Sequence, residues 1–353
     1  MNDWGTKKVL RFLCGQGKMS SEFNLNGNEE PSSGLLPDRR VQFRRNEGMN
    51  ELALYVDAGR CEHQKCAFCA LPSMSKSISI TSAENVGSHI NPLLESAKRY
   101  AVPFEKVTYF CCGSMLNPNE ISISALEKLI DLSMESFPSI SVVSLESRAE
   151  HIKPDILERL LARVGSQRKL EIAIGYETKD ALIRNTYLMK NFKEKMLDAA
   201  FRTLAQTGCL VKVYVMLKPA YLKGWSSLDW VREAAATIRH VATIGKQRSL
   251  NVRVHLNPTY VTSGSPLEFL YRAGKYKIVK FHDVLKVLIV AEKSNIPIQI
   301  GLDDEGLAIE KGSFLTTGGC PPWGRQLLLD FNDKQDFTPI KMALKIIKAN
   351  RLL

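Results

Sequence analysis

From Glu51 onward, short apolar runs of strand length alternate with stretches of helical period. The runs predict strands near 51–57, 106–112, 140–147, 170–177, 210–217, 250–257 and 296–301. Between them, Leu157, Leu160, Leu161 and Val164 share one helical face, with Pro154 near its start and Gly165 just past its end. Leu197, Ala200, Phe201 and Leu204 repeat the spacing before Gly208, as do Val284, Val287, Leu288 and Ala291. Strands alternating with helices predict repeated βα units around a parallel sheet.

Side-chain parity along the strands adds a cavity to this picture. Leu170, Ile172, Ile174 and Tyr176 fall on one face, and Glu171, Ala173, Gly175 and Glu177 on the other. Val211, Val213, Val215 and Leu217 likewise oppose Lys212, Tyr214, Met216 and Lys218, and Asn251, Arg253 and His255 occupy the polar side of the next strand. Strands of a parallel sheet covered on both faces are apolar on both faces. Here one face is polar in strand after strand, so helices cover the outside and the polar sides converge. The expected fold is α/β: a partial (β/α) barrel of parallel strands over 49–305. A basic N-terminal arm and linker over 1–48 and a C-terminal extension over 306–353 complete it. In that extension Ile340, Leu344 and Ile347 line one face of a basic amphipathic helix from Thr338 to Leu352.

The 353-residue chain is 44% hydrophobic, which suits a globular core and excludes disorder throughout. No apolar run approaches the roughly 18 residues of a membrane span, and no signal-peptide pattern opens the chain, so a cytoplasmic protein without a membrane is expected. Five of the eight cysteines, Cys14, Cys111, Cys112, Cys209 and Cys320, are scattered as in a reduced protein. Cys320, in Gly-Gly-Cys-Pro-Pro, stays open as a late ligand or a reactive thiol. A net charge of +11 and an isoelectric point near 9.2 favour a polyanionic partner such as tRNA. The arginines of Asp38-Arg39-Arg40-Val41-Gln42-Phe43-Arg44-Arg45 are candidate RNA-backbone contacts, or plain solvated surface.

The remaining three cysteines carry the chemistry. Gly59-Arg60-Cys61-Glu62-His63-Gln64-Lys65-Cys66-Ala67-Phe68-Cys69 has the form C-x4-C-x2-C and follows the first strand run. Three thiolates on one loop can hold three irons of a cubane cluster and leave the fourth open. A zinc site completed by His63 is the alternative.

With Phe68 before the last cysteine, the loop resembles the cluster loop of the radical S-adenosylmethionine (SAM) superfamily, in which the aromatic packs near the adenine. The first spacing departs from that family by one inserted residue. Four further stretches resemble the branch that includes the elongator catalytic subunit and the radical SAM subunit of archaeosine synthase. They are Cys112-Gly113-Ser114-Met115-Leu116-Asn117-Pro118, Glu146-Ser147-Arg148, Glu171 to Thr178, and Asn257 to Ser265 continuing to Leu267, Leu270, Gly274 and Tyr276. Ala149 stands where that branch commonly has proline.

The resemblance implies a [4Fe-4S] cluster on Cys61, Cys66 and Cys69, and S-adenosyl-L-methionine held by Phe68, Gly113, Ser114, Glu146, Ser147 and Arg148. Glu177, Lys212, Lys218, Arg253 and His255 are the substrate-binding candidates. The implied reaction is reductive cleavage of SAM to a 5′-deoxyadenosyl radical that modifies a tRNA nucleoside, with archaeosine-type lysine-adduct cleavage as one form. A reductant such as flavodoxin or ferredoxin, and a partner subunit, would accompany it. Two rivals stand beside this reading: a radical SAM enzyme for a small metabolite or peptide, and a noncatalytic zinc or iron-sulfur RNA-binding protein.

Overall fold

The computed structural model describes residues 40–69, 71, 82–304 and 306–349. The N-terminal arm and linker up to 39, with Cys14 and Arg39, and the C-terminal helix beyond 349 lie outside the described residues.

One sheet holds β1 (Val41–Asn46), β2 (Met49–Tyr55), β3 (Lys106–Phe110), β4 (Val142–Ser147), β5 (Lys169–Glu177), β6 (Leu210–Leu217), β7 (Val252–Pro258) and β8 (Ile298–Ile300) in chain order. β1 is antiparallel to β2, and every later pair is parallel. The crossovers run through α1 (Ala83–Ala97), α2 (Ile123–Ser136), α3 (Pro154–Val164), α4 (Glu194–Thr207), α5 (Ser227–Gln247), and α6 (Pro266–Arg272) with α7 (Phe281–Ala291). α8 (Gly324–Lys334) and α9 (Phe337–Ala349) close the described chain. α3 opens with Pro154 in its first turn and ends at Gly165, where φ is +80°. α4 ends at Gly208 in the left-handed region.

The strand parity holds in three dimensions. Leu170, Ile172, Ile174 and Tyr176 join Val211, Val213, Val215 and Leu217 in the main apolar core beneath the helices. The opposite faces meet across the interior, where polar contacts link strands that are not neighbours. Lys106 Nζ of β3 lies 2.7 Å from Glu171 Oε1 of β5, and Arg253 Nε of β7 lies 3.1 Å from Glu171 Oε2. Only a sheet curled into a barrel brings them together.

β1 lies where the arm was expected, so the chain enters the sheet at Val41. Its arginines are largely used within the fold. Arg40 pairs with Asp57 at 2.6 Å, and Arg45 with Asp333 at 3.0 Å. Arg44 shares the inward parity of Gln42 and Asn46, with its guanidinium 6.0 Å from the Phe110 ring centroid. Arg40 and Arg45 thus have ion-pair partners on the protein itself, and Arg39 lies outside the described residues.

α8 bridges the two sheet edges. The Asn332 side chain accepts from Ile300 N at 2.7 Å and donates to Ile300 O at 2.9 Å on β8, while its own carbonyl accepts from Glu47 N at 2.9 Å after β1. A carboxamide thus completes a strand edge in place of a ninth strand. α9 buries Ile340, Ala343, Leu344 and Ile347, the face expected from their spacing, and packs on α7.

Candidate active site at the open end of the barrel

The cysteine loop leaves β2 at the carboxyl ends of the parallel strands, the end at which α/β sheets bind ligands. It is tied down from three sides. On the first, Glu120 reaches across from the turn after β3. Its backbone carbonyl accepts from Gly59 N at 2.6 Å, and its carboxylate accepts from Ser114 N at 2.6 Å, Glu62 N at 3.1 Å and Asn117 Nδ2 at 3.0 Å. Glycine is required at 113 because a Cβ there would stand 1.6 Å from Glu120 Oε2. The same carbonyl would lie 2.6 Å from a Cβ at Gly59. Gly113 thus makes room for the chain's own carboxylate.

On the second side, the segment after β5 folds over the loop. Leu188 O accepts from Ala67 N at 3.0 Å, and His63 Nε2 lies 2.8 Å from Met189 O, which removes that nitrogen from the zinc alternative. The segment is a π-helical turn, Ile183–Tyr187, followed by positive φ at Met189 and Asn191. Arg184, fully buried, anchors it by donating to Thr178 O at 2.6 Å and Phe192 O at 3.0 Å. On the third, Thr262 Oγ1 after β7 donates to Phe68 O at 3.1 Å.

Around the thiols the charges are mixed. Burial raises the Cys66 and Cys69 pKa values, Lys190 opposes the rise at both, and Arg148 opposes it at Cys66. Lys190 is buried with Glu177, Nζ to Oε1 2.6 Å, and lies 5.7 Å from the Phe68 ring centroid. A Cβ at Gly175 would come 2.7 Å from Lys190 Nζ, so that glycine makes space for the pair. The donor set, three thiols on one loop, is of the kind that holds three irons of a cubane cluster. Among the described residues no three Cys, His, Asp or Glu side chains form a metal-ligating group, so the loop must draw its sulfurs together to hold one.

The Glu-Ser-Arg stretch ends β4 beside this loop. Arg148 N donates to Ser114 Oγ at 3.1 Å, and its guanidinium donates to Lys190 O at 3.0 Å and Glu150 Oε1 at 2.5 Å. Ser147 Oγ donates to Arg148 O at 3.0 Å. Glu146 accepts from the Tyr214 hydroxyl, and burial raises its pKa. Gly113, Ser114, Ser147, Arg148, Lys190 and the cysteine loop thus meet at one end. Glu120 and Lys190 were not singled out in the sequence. Glu120 follows an Asn-Pro-Asn turn with no periodic signal, and Lys190 lies thirteen residues beyond its partner in an aperiodic loop.

The substrate candidates divide by depth. Lys212 and Arg253 belong to a buried network with Glu171, Lys106 and Glu51 deeper in the barrel, and Arg253 also meets Glu47 at 2.8 Å, so three cations face three carboxylates. His255 lies above them, and burial together with Lys212 and Arg44 holds its pKa well below the usual value, keeping the ring neutral. Its Nδ1 meets no partner among the described residues. Glu177 is taken by Lys190, and Lys218 sits at the rim with Nζ 5.2 Å from the Tyr276 ring centroid. Cys320 packs outside the barrel against Gly324, with no described link to the cysteine loop.

No family model matches the chain. Archaeosine synthase subunit beta of Thermococcus kodakarensis is 24% identical over 249 residues, covering 70% of this chain and 73% of that protein. Its namesake from Methanosarcina acetivorans is 25% identical over 222 residues, 62% of this chain and 61% of that protein. Among solved structures, a queuine lyase from Clostridium spiroforme bound to SAM and queuine superposes with a TM-score of 0.47 at 14% identity, over 76% of this chain and 97% of that one. The chain is thus similar to archaeosine synthase subunit beta over 249 residues, and its cysteine loop and strand-end stretches resemble those of the radical SAM superfamily.

Proposed function

We propose that Cys61, Cys66 and Cys69 hold a [4Fe-4S] cluster beside a SAM site on Phe68, Gly113, Ser114, Glu146, Ser147 and Arg148, and that the enzyme modifies a tRNA nucleoside. The observation that carries this reading is the joining of the cysteine loop to the ends of β3, β4 and β5 through Glu120, Ser114, Arg148 and Lys190. Such a cluster, when bound, supplies the electron that splits the SAM sulfonium to methionine and a 5′-deoxyadenosyl radical.

The protein's own groups do the rest. Arg148 and Lys190 bring positive charge to the thiolates and to a SAM carboxylate, while Phe68 supplies an apolar face for the adenine. Ala53, Tyr55, Phe110 and Leu307 line an apolar patch inside the mouth that limits water around a reactive carbon. His255, neutral and with a free ring nitrogen, offers a hydrogen bond to a substrate above the buried charges.

The tRNA reading draws on the archaeosine synthase relatives and on the basic charge of the chain. By the same analogy the reaction cleaves a lysine-derived adduct on a tRNA base, a partner subunit takes part, and a flavodoxin or ferredoxin in the cytoplasm supplies electrons. Anaerobic reconstitution should give about four irons per chain. SAM should then be cleaved to methionine and 5′-deoxyadenosine on reduction. Cys66→Ala should lose the cluster, and Cys209→Ala, buried beside Thr207, should keep it. Stoichiometric zinc without iron would overturn the reading.

A further inference from the structure

With the β1 arginines largely paired or turned inward, the solvent-facing positive charge at the open end has to come from elsewhere. One group of exposed lysines follows α6. Lys275, Lys277 and Lys280 are exposed and form no ion pair among the described residues. The backbone under them is fixed, because Tyr276 is buried with Val261, Leu267 and Leu270, and its hydroxyl donates to Lys218 O at 2.8 Å. Thr262, next to Val261, holds the cysteine loop at Phe68 O. The lysines therefore stand on a layer bonded to the candidate site.

Burial lowers the Lys218 pKa and Lys277 and Lys280 add to it, so three ammonium groups share one corner. Asp283, the carboxylate facing Lys218, is already met by His282 Nε2 at 3.2 Å and Lys286 Nζ at 3.6 Å. Beside Lys280, Phe281 holds Trp323 edge-on with ring centroids 5.6 Å apart. Trp323 leaves 44% of its surface exposed. Unpaired lysines with an open indole next to Phe281 suit a strand of nucleic acid, whose phosphates take the charges and whose bases stack on the ring.

We propose that Lys275, Lys277, Lys280 and Trp323 form the RNA-contacting surface, with the lysines on backbone phosphates and the indole beneath an unstacked base. This rests on the tRNA reading above and gives the otherwise unassigned Cys320-Pro321-Pro322-Trp323 stretch a role, as the mount of the indole.

The test is binding of the full chain to bulk tRNA across a salt series. Converting all three lysines to glutamine should flatten the slope of log affinity against log salt by about two to three. At 0.15 M salt the affinity should fall on the order of a hundredfold, as that slope implies. Converting them to arginine should keep the slope, which separates charge from folding. Trp323→Ala should weaken binding roughly tenfold at an unchanged slope, because stacking releases no counterions. A glutamine variant that keeps the wild-type slope would place the phosphate contacts elsewhere and leave the tRNA reading standing. A wild type without salt-dependent binding would overturn both.

Discussion

At the residue scale, Glu146 shows how a site group acts against stability. Burial raises its pKa, so folding disfavours its charged form. A carboxyl with a raised folded pKa contributes its full stability below the unfolded value, about 4.3, and loses it as pH rises through the folded value. Glu146→Gln keeps an acceptor for Tyr214 and removes the charge. The variant should melt higher than wild type at pH 8, with the difference vanishing at pH 4, while SAM binding measured by calorimetry weakens. Glu120 acts in the opposite sense. Glu120→Ala strands the buried amide of Ser114 and should cost about 1–3 kcal/mol in chemical denaturation, the penalty for one buried group left unpaired. Iron retention should fall with it, because the cysteine loop loses its tether. Gly113 was picked out in the sequence only through the resemblance, and the carboxylate that fills the space beside it was not legible, since Glu120 arrives from a turn whose sequence encodes no periodicity.

At the element scale, strand spacing and parity were readable because burial imposes a period of two on β5 and β6 and a period near 3.6 on α3, α4 and α7. β1 escaped that reading for a physical reason. Its inward residues, Gln42, Arg44 and Asn46, face a polar interior, and the only apolar residues alternating with them are Val41 and Phe43, so the apolar signal is two residues long among arginines. The seam it forms with β8 depends on α8, where side chains substitute for a strand. Gln335 Oε1 accepts from Ile298 N at 2.8 Å, and its Nε2 donates to Ile298 O at 3.0 Å, repeating what Asn332 does at Ile300. Asn332→Ala and Gln335→Ala together unpair the β8 edge. Hydrogen exchange at Ile298 and Ile300 should speed strongly while amides of β4 and β5 keep their protection. Equal loss across the sheet would mean that α8 supports the whole barrel rather than its seam.

At the scale of the whole molecule, the barrel interior is built in two storeys, and the lower one governs the response to acid. Lys106, Lys212 and Arg253 converge on Glu171, and Lys212 and Lys106 also hold Glu51, whose other oxygen environment includes Thr108 Oγ1 at 2.6 Å. Burial opposes ionisation of both carboxyls, but the surrounding cations win and both pKa values fall below the ordinary range. A depressed folded pKa gives stability that is present above the unfolded value, about 4.3, and is lost as pH falls through the folded one. The network should therefore keep its full strength from neutral pH down to about 5 and weaken through the region below. Glu171→Gln leaves three buried cations short of a counter-charge, and breaking a buried pair in this way costs about 3–5 kcal/mol. Denaturant midpoints measured from pH 7 to pH 3 should show the variant far below wild type at neutral pH and the gap narrowing below about pH 4.3, as acid protonates the wild-type carboxyl in the unfolded chain. A constant gap over that range would mean that Glu171 acts through packing and hydrogen bonds alone. The charge state of the lower storey would then have no part in setting the stability of the barrel.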